Sequence, residues 1–169
     1  LIIGAASGVL LVATLLPVLL ANLLQKAQFT VVSANVDFAR EPQLQPVKLL
    51  PYTVRTVAGQ QVGIIGLTTV ETPFISSPGN NIVFNQAALS VQKAADELAG
   101  RGVNKLILLS HQGYAEDRQL ASAVSGIDVI VGGHSHTLLG DFTAIGVASA
   151  GPYPTLAKDR DGAQVLVVH

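Results

Sequence analysis

The chain has 169 residues, a length that suits one domain or a large piece of one. Apolar residues make up 49%, ample for a core, while charged residues make up 12% and leave a net charge of −1, so there is no electrostatic case for nucleic acid or an anionic membrane surface. Cysteine is absent, which removes disulfides, thiol catalysis and thiolate metal sites.

Residue 1 is Leu, so the chain reads as a processed or partial product. Residues 1–24 carry no charge, and Lys26 is the first charged residue. Such a run is long enough to be weighed as a membrane span or signal core, and any membrane contact is expected through it. Against a span, Gly4, Ser7, Gly8, Thr14, Pro17 and Asn22 interrupt the run and no basic region precedes it. A buried strand or loop followed by a helix is the favoured reading. Pro17 then sits in the first helical turn, and Leu19, Leu20, Leu23, Leu24 and Ala27 form an apolar stripe.

Residues 29–34 are β-rich and predict a strand, followed by a loop over 39–46 with two prolines. Residues 52–57 alternate and read as a half-exposed strand. Ala58-Gly59-Gln60 turns the chain into a partner strand over 61–67, making a hairpin. Residues 71–81, rich in Pro, Ser, Gly and Asn, read as a loop. A helix follows over 85–99, with Asn85 as its cap and Ala88, Val91, Ala95 and Leu98 on one face. Residues 105–109 are a buried-strand pattern running into Ser110-His111. Glu116 and Asp117 suit the start of a second helix, with Leu120, Ala121 and Val124 facing inward. Residues 128–131 form the next strand and end at Gly132-Gly133-His134-Ser135-His136. The order helix, strand, helix, strand with short links implies parallel strands in an α/β layer. Residues 137–154 read as loop, 159–162 as a turn, and 164–168 as a last strand; His169 is expected to be nearly silent on substitution.

Three of the four histidines thus fall just past the carboxyl ends of two apolar strands, the edge where open α/β sheets place ligands. Residues i and i+2 of an extended segment point the same way, so His134 and His136 are expected to face one spot, joined by His111. Neutral imidazole is the commonest ligand for borderline divalent metals, and the three are read as a metal set. Hard-cation phosphoryl chemistry also needs a bridging carboxylate. Asp117 reads as a solvated first-turn residue, Asp128 as lying at the far edge, and Asp141 as a loop acid. A serine hydrolase is disfavoured, because Ser110 and Ser135 lack a Gly-x-Ser-x-Gly elbow.

Four stretches carry a resemblance. They are Ser33-Ala34-Asn35-Val36-Asp37-Phe38, Leu109-Ser110-His111-Gln112-Gly113, Ile127 through Thr137, and Gly151-Pro152-Tyr153-Pro154-Thr155. In order and spacing they resemble the 5′-nucleotidase branch of the calcineurin-like metallophosphoesterases, from about Val18 onward. The resemblance implies a four-layer α/β sandwich of two mixed β-sheets flanked by helices, here incomplete. It implies two divalent metal ions of the zinc, manganese or cobalt type, with His111 and His134 on one metal and His136 on the other. It implies hydrolysis of a small-molecule phosphate ester, a nucleotide, by a metal-activated water. The branch includes secreted and periplasmic enzymes, so that location is expected. The family's Asp-x-His and Gly-Asn-His-Glu motifs do not occur in the chain, no Gly-Asp stands upstream of Val18 where the family carries it, and an atypical uncharged segment, residues 1–17, stands where Gly-Asn-His-Glu is expected. Residues 1–169 are therefore read as one partial metallophosphoesterase domain. The alternative is a non-catalytic metal-binding or structural protein on the same fold, or a fragment inactive on its own.

Overall fold

The computed structural model describes residues 9–169, with side chains described from Pro17 onward. A long helix, α1 (Val9–Lys26), comes first. The chain then passes through a two-residue strand, β1 (Val36–Asp37), to the hairpin of β2 (Tyr52–Val57) and β3 (Gln60–Thr68). A single-turn helix, α2 (Thr72–Ile75), and a short strand, β4 (Val83–Phe84), lead to helix α3 (Ala87–Gly100). From there strands and helices alternate: β5 (Leu106–His111), α4 (Tyr114–Ala123), β6 (Val129–Val131), then β7 (Thr155–Lys158) and β8 (Gln164–Val168).

The main sheet has the order β2-β3-β5-β6-β8-β7. Its four inner strands, β3, β5, β6 and β8, are mutually parallel, and the antiparallel β2 and β7 form its edges. β1 and β4 pair antiparallel in a second, small sheet. The mixed six-stranded sheet, the small antiparallel pair and the flanking helices match the α/β architecture read from the sequence. The inner strands are apolar almost without break, as strands covered on both faces must be. Ile65, Leu67, Leu108, Ile130, Val165 and Val167 from the sheet meet Val91 and Leu98 of α3 and Leu120 of α4 in one buried cluster. Leu108 and Ile130 are fully buried, and each contributes on the order of 2–3 kcal/mol by leaving water. The β2–β3 hairpin closes on Ala58 and Gly59, both at positive φ (48° and 77°), a geometry that matches the strand twist.

Several local expectations are corrected. The helix is already formed at Val9, well before Pro17, so Pro17 lies inside α1, and its ring removes one internal hydrogen bond without ending the helix. The part of the uncharged segment over 1–8 lies outside the described residues. The leucine stripe is not inward: Leu19 and Leu23 are about three-fifths exposed, and Ala21 is the residue packed against Leu44 and Ile82. Among the residues whose side chains are described, no helix is long and apolar enough to cross a membrane. Residues 29–34 do not form a strand. They pass the hairpin with a single bridge from Val32 to Leu50, and the Val32 carbonyl lies against Gly66, where no Cβ could fit. Asn85 does not cap α3; the cap position is Gln86, and Asn85 instead donates its backbone N–H to the Asn35 carbonyl at 2.8 Å. The strand β7 went unread because its single outward leucine, Leu156, gives no apolar run.

Candidate metal centre

Parallel pairing places the carboxyl ends of the inner strands on one rim. Thr68 at the end of β3 is in register with His111 at the end of β5, and Val131 at the end of β6 with Val168 at the end of β8. Side chains alternate along β5, so Ser110 turns inward and is buried while His111 stands outward at the rim. The rings of His111 and His134 meet edge to face with centroids 5.1 Å apart. The ladder therefore does deliver two of the three predicted imidazoles to one place.

The reason given for pairing His134 with His136 does not hold. The strand stops at Val131, and neither residue is extended: His134 has φ 82° and His136 φ 52°. Left-handed backbone at non-glycine residues costs of order 1–3 kcal/mol each and persists where the surroundings over-determine it. His136 is exposed. Among the described residues, no group of three His, Cys, Asp or Glu side chains converges closely enough to hold one metal ion.

Three residues join the rim that the sequence reading left out. Glu71, at the loop after β3, places its Oε2 3.5 Å from Nε2 of His134. His169 follows β8 onto the same rim, and its ring nitrogens lie 3.1 Å (Nδ1) from the Thr137 carbonyl and 2.9 Å (Nε2) from the Gly133 carbonyl. His169 therefore does not stand apart from the rim, as its place at a strand end with no motif suggests: β8 lies inside the sheet and carries the ring to the 133–137 loop. Asp117 is fully buried rather than solvated, because its position on α4 faces the sheet. It accepts a very short hydrogen bond from the Ser110 hydroxyl, and its Oδ2 has no partner. Burial pushes the Asp117 carboxyl up to about 6, opposed by the Ser110 hydrogen bond. The same signal that found His111, a histidine at the carboxyl end of an apolar strand pattern, would have found His169.

The other acids behave as read. Asp128 accepts from the Leu106 N–H at the start of β5, at the opposite edge, and Asp141 caps Thr143. Ser135 Oγ lies 3.3 Å from Nε2 of His169, but both ring nitrogens face backbone carbonyls and, among the described residues, no carboxylate orients the ring, so the arrangement is not that of a serine hydrolase.

Burial lowers the pKa of His111, with further lowering from the neighbouring His134, His136 and His169. A ring kept unprotonated is a competent ligand. Two adjacent imidazoles with a nearby carboxylate are the nitrogen and oxygen donors that borderline divalent ions take. The donor set fits part of a metal centre.

No protein-family model matches the chain. It is 43% identical over 157 residues to a snake venom 5′-nucleotidase from Gloydius brevicauda, covering 89% of this chain and 26% of that protein. Among solved structures, a 5′-nucleotidase precursor from Thermus thermophilus superposes with a TM-score of 0.86 at 53% identity, over 90% of this chain and 30% of that one. An NAD nucleotidase from Haemophilus influenzae superposes at 0.80 with 37% identity, over 89% of this chain and 27% of that one. The chain therefore spans about a quarter of the length of the curated relatives it matches.

Proposed function

We propose a phosphoester-hydrolysing role from one premise: the chain belongs to the 5′-nucleotidase branch of the calcineurin-like metallophosphoesterases. The proposed reaction is metal-assisted hydrolysis of the phosphate ester of a nucleotide. The observation that supports it most is the 5.1 Å meeting of the His111 and His134 rings at the carboxyl ends of neighbouring parallel strands. We assign His111, His134 and His136 as ligands of divalent ions of the zinc, manganese or cobalt type. Such an ion, when bound, polarises a phosphoryl oxygen and acidifies a water nucleophile.

The chain's own residues have narrower parts. His111 offers an unprotonated ring, fixed by the end of β5. His134 offers a second ring, with the Glu71 carboxylate positioned to hold its orientation. Asp117, Asp128 and Asp141 each accept a hydrogen bond, from Ser110, Leu106 and Thr143, and among the described residues none converges with two further ligand side chains. We propose that the bridging carboxylate comes from sequence outside this span, as the greater length of the relatives allows. The venom relative and the Thermus precursor support a secreted or periplasmic location.

The test measures metal content and phosphate release together in the full-length protein. Nucleoside monophosphates and a generic phosphomonoester serve as substrates, before and after chelation. Release that is faster for the nucleotide, lost on chelation and restored by added metal is expected. Metal binding without phosphate release would instead favour the non-catalytic alternative.

A further inference from the structure

We propose that His169 is a positioning residue that clamps the 133–137 loop, holding His134 and His136 in their left-handed conformations. This inference rests on the reading of that loop as a metal carrier. A single ring meets both ends of the loop, through the Gly133 carbonyl at 2.9 Å and the Thr137 carbonyl at 3.1 Å, and it also lies 3.3 Å from the Ser135 hydroxyl between them. Among the described residues, His169 is the one side chain outside the loop whose polar atoms lie within hydrogen-bonding distance of both ends, donating to both carbonyls when each ring nitrogen carries a proton and to one of them when the ring is neutral.

The clamp has a firm mount. The residue before it, Val168, is paired with Val131, and the Val168 carbonyl accepts the Gly132 N–H at 2.8 Å. Ring and loop are thus carried by neighbouring strands whose interior residues Ile130 and Val167 are fully buried. Tyr114 stands edge-on to the ring, with centroids 6.1 Å apart, and donates its backbone N–H to Ser135 Oγ at 3.0 Å. Gly132 leaves room for the ring: an added Cβ would come within 2.6 Å of His169 Cδ2. His169 is not assigned as a further metal ligand, because both ring nitrogens are engaged with loop oxygens.

Two strained non-glycine residues in one short loop require an external constraint. The clamp supplies it, and the chemical return is the fixed direction of the His134 ring relative to His111. Groups that orient a ligand from behind typically change metal affinity 10- to 100-fold.

The experiment compares wild type with His169→Ala in the full-length protein, by amide hydrogen exchange and by Zn²⁺ competition against a chromophoric chelator. Exchange across 133–137 is expected to rise about 10-fold while the amides of β5 and β6 keep their protection. Zn²⁺ binding is expected to weaken about 10-fold, and added imidazole, entering the vacated space, to restore both in part. Loop exchange unchanged in His169→Ala overturns the proposal, and so does loosened exchange with unchanged Zn²⁺ affinity. Should His169→Ala fail to fold, His169→Gln is read in the same way, since its amide reaches the Nε2 position alone and should loosen the Thr137 end. Should wild type bind no Zn²⁺, the proposed function falls, and the clamp is decided by exchange alone.

Discussion

The Glu71 carboxylate approaches the His134 ring to 3.5 Å from a loop that the strand pattern does not mark. Glu71 is largely exposed, so its contact with His134 adds little to folding. Its expected effect is on orientation. Glu71→Gln should weaken divalent-metal binding several-fold, up to about 10-fold, while the urea midpoint stays within error of wild type. Chelator competition and urea denaturation on the same preparation check both halves.

Replacing His111 or His134 with Ala should each remove most of the metal bound at their shared position. The double variant should lose little more than either single one, since residues that act as a unit are not additive. Metal content by elemental analysis reads this directly. Because the pKa of His111 is lowered, chiefly by burial, protons compete for that ring only at lower pH than for a free imidazole. Metal retention should accordingly persist into mildly acidic buffer.

Gly132→Ala should be among the most damaging single changes on the rim. Its new methyl group would stand 2.5 Å from Asp117 Oδ2 and 2.6 Å from His169 Cδ2, with no flexible neighbour able to yield cheaply. We expect a loss of about 1–3 kcal/mol from overpacking, seen as a lower urea midpoint, together with loosened exchange in the 133–137 loop.

Asp117 gives a pH signature. Its carboxyl is pushed up from 3.8 to about 6 in the fold, so the folded chain holds the proton more tightly than the unfolded one. This group's contribution is therefore most favourable below pH ~4, declines between pH ~4 and ~6, and is level above; the span is on the order of 3 kcal/mol. Asp117→Asn should flatten that decline when unfolding free energies at pH 4.5 and 7.5 are compared.

Asn35 ties the approach segment to the end of β3. Fully buried, it accepts from the Thr68 N–H at 3.0 Å and donates to the Thr68 carbonyl at 2.7 Å. Asn35→Ala leaves those backbone groups short of partners and should cost about 2–3 kcal/mol by urea denaturation. Thr68 is in register with His111, so the loss should reach the proposed metal site as well.

The parallel layer was legible because its signals are local and repeated. The apolar runs at 105–109 and 128–131, each following a helix with an apolar face, leave few other arrangements. His111 and His134 were legible for the same reason. What escaped depends on tertiary placement. Asp117 reads as a first-turn acid until α4 is laid on the sheet, which turns that position toward Ser110. His169 reads as a trailing residue until β8 is seen to lie between β6 and β7. The extended geometry expected of 134–136 failed because the ladder ends at Val131, and past a ladder the backbone answers to its contacts rather than to its period.

The insertion of β8 between β6 and β7 has a consequence during synthesis. Until residues 164–168 emerge from the ribosome, β6 keeps an unpaired hydrogen-bonding edge with Val129 and Val131 on it. A translation product arrested shortly before Gln164 would offer that bare edge to any neighbouring chain, the template on which strands of separate molecules add to one another. Such stalled products should be prone to clump and to recruit chaperones, whereas products arrested beyond Val168 should not.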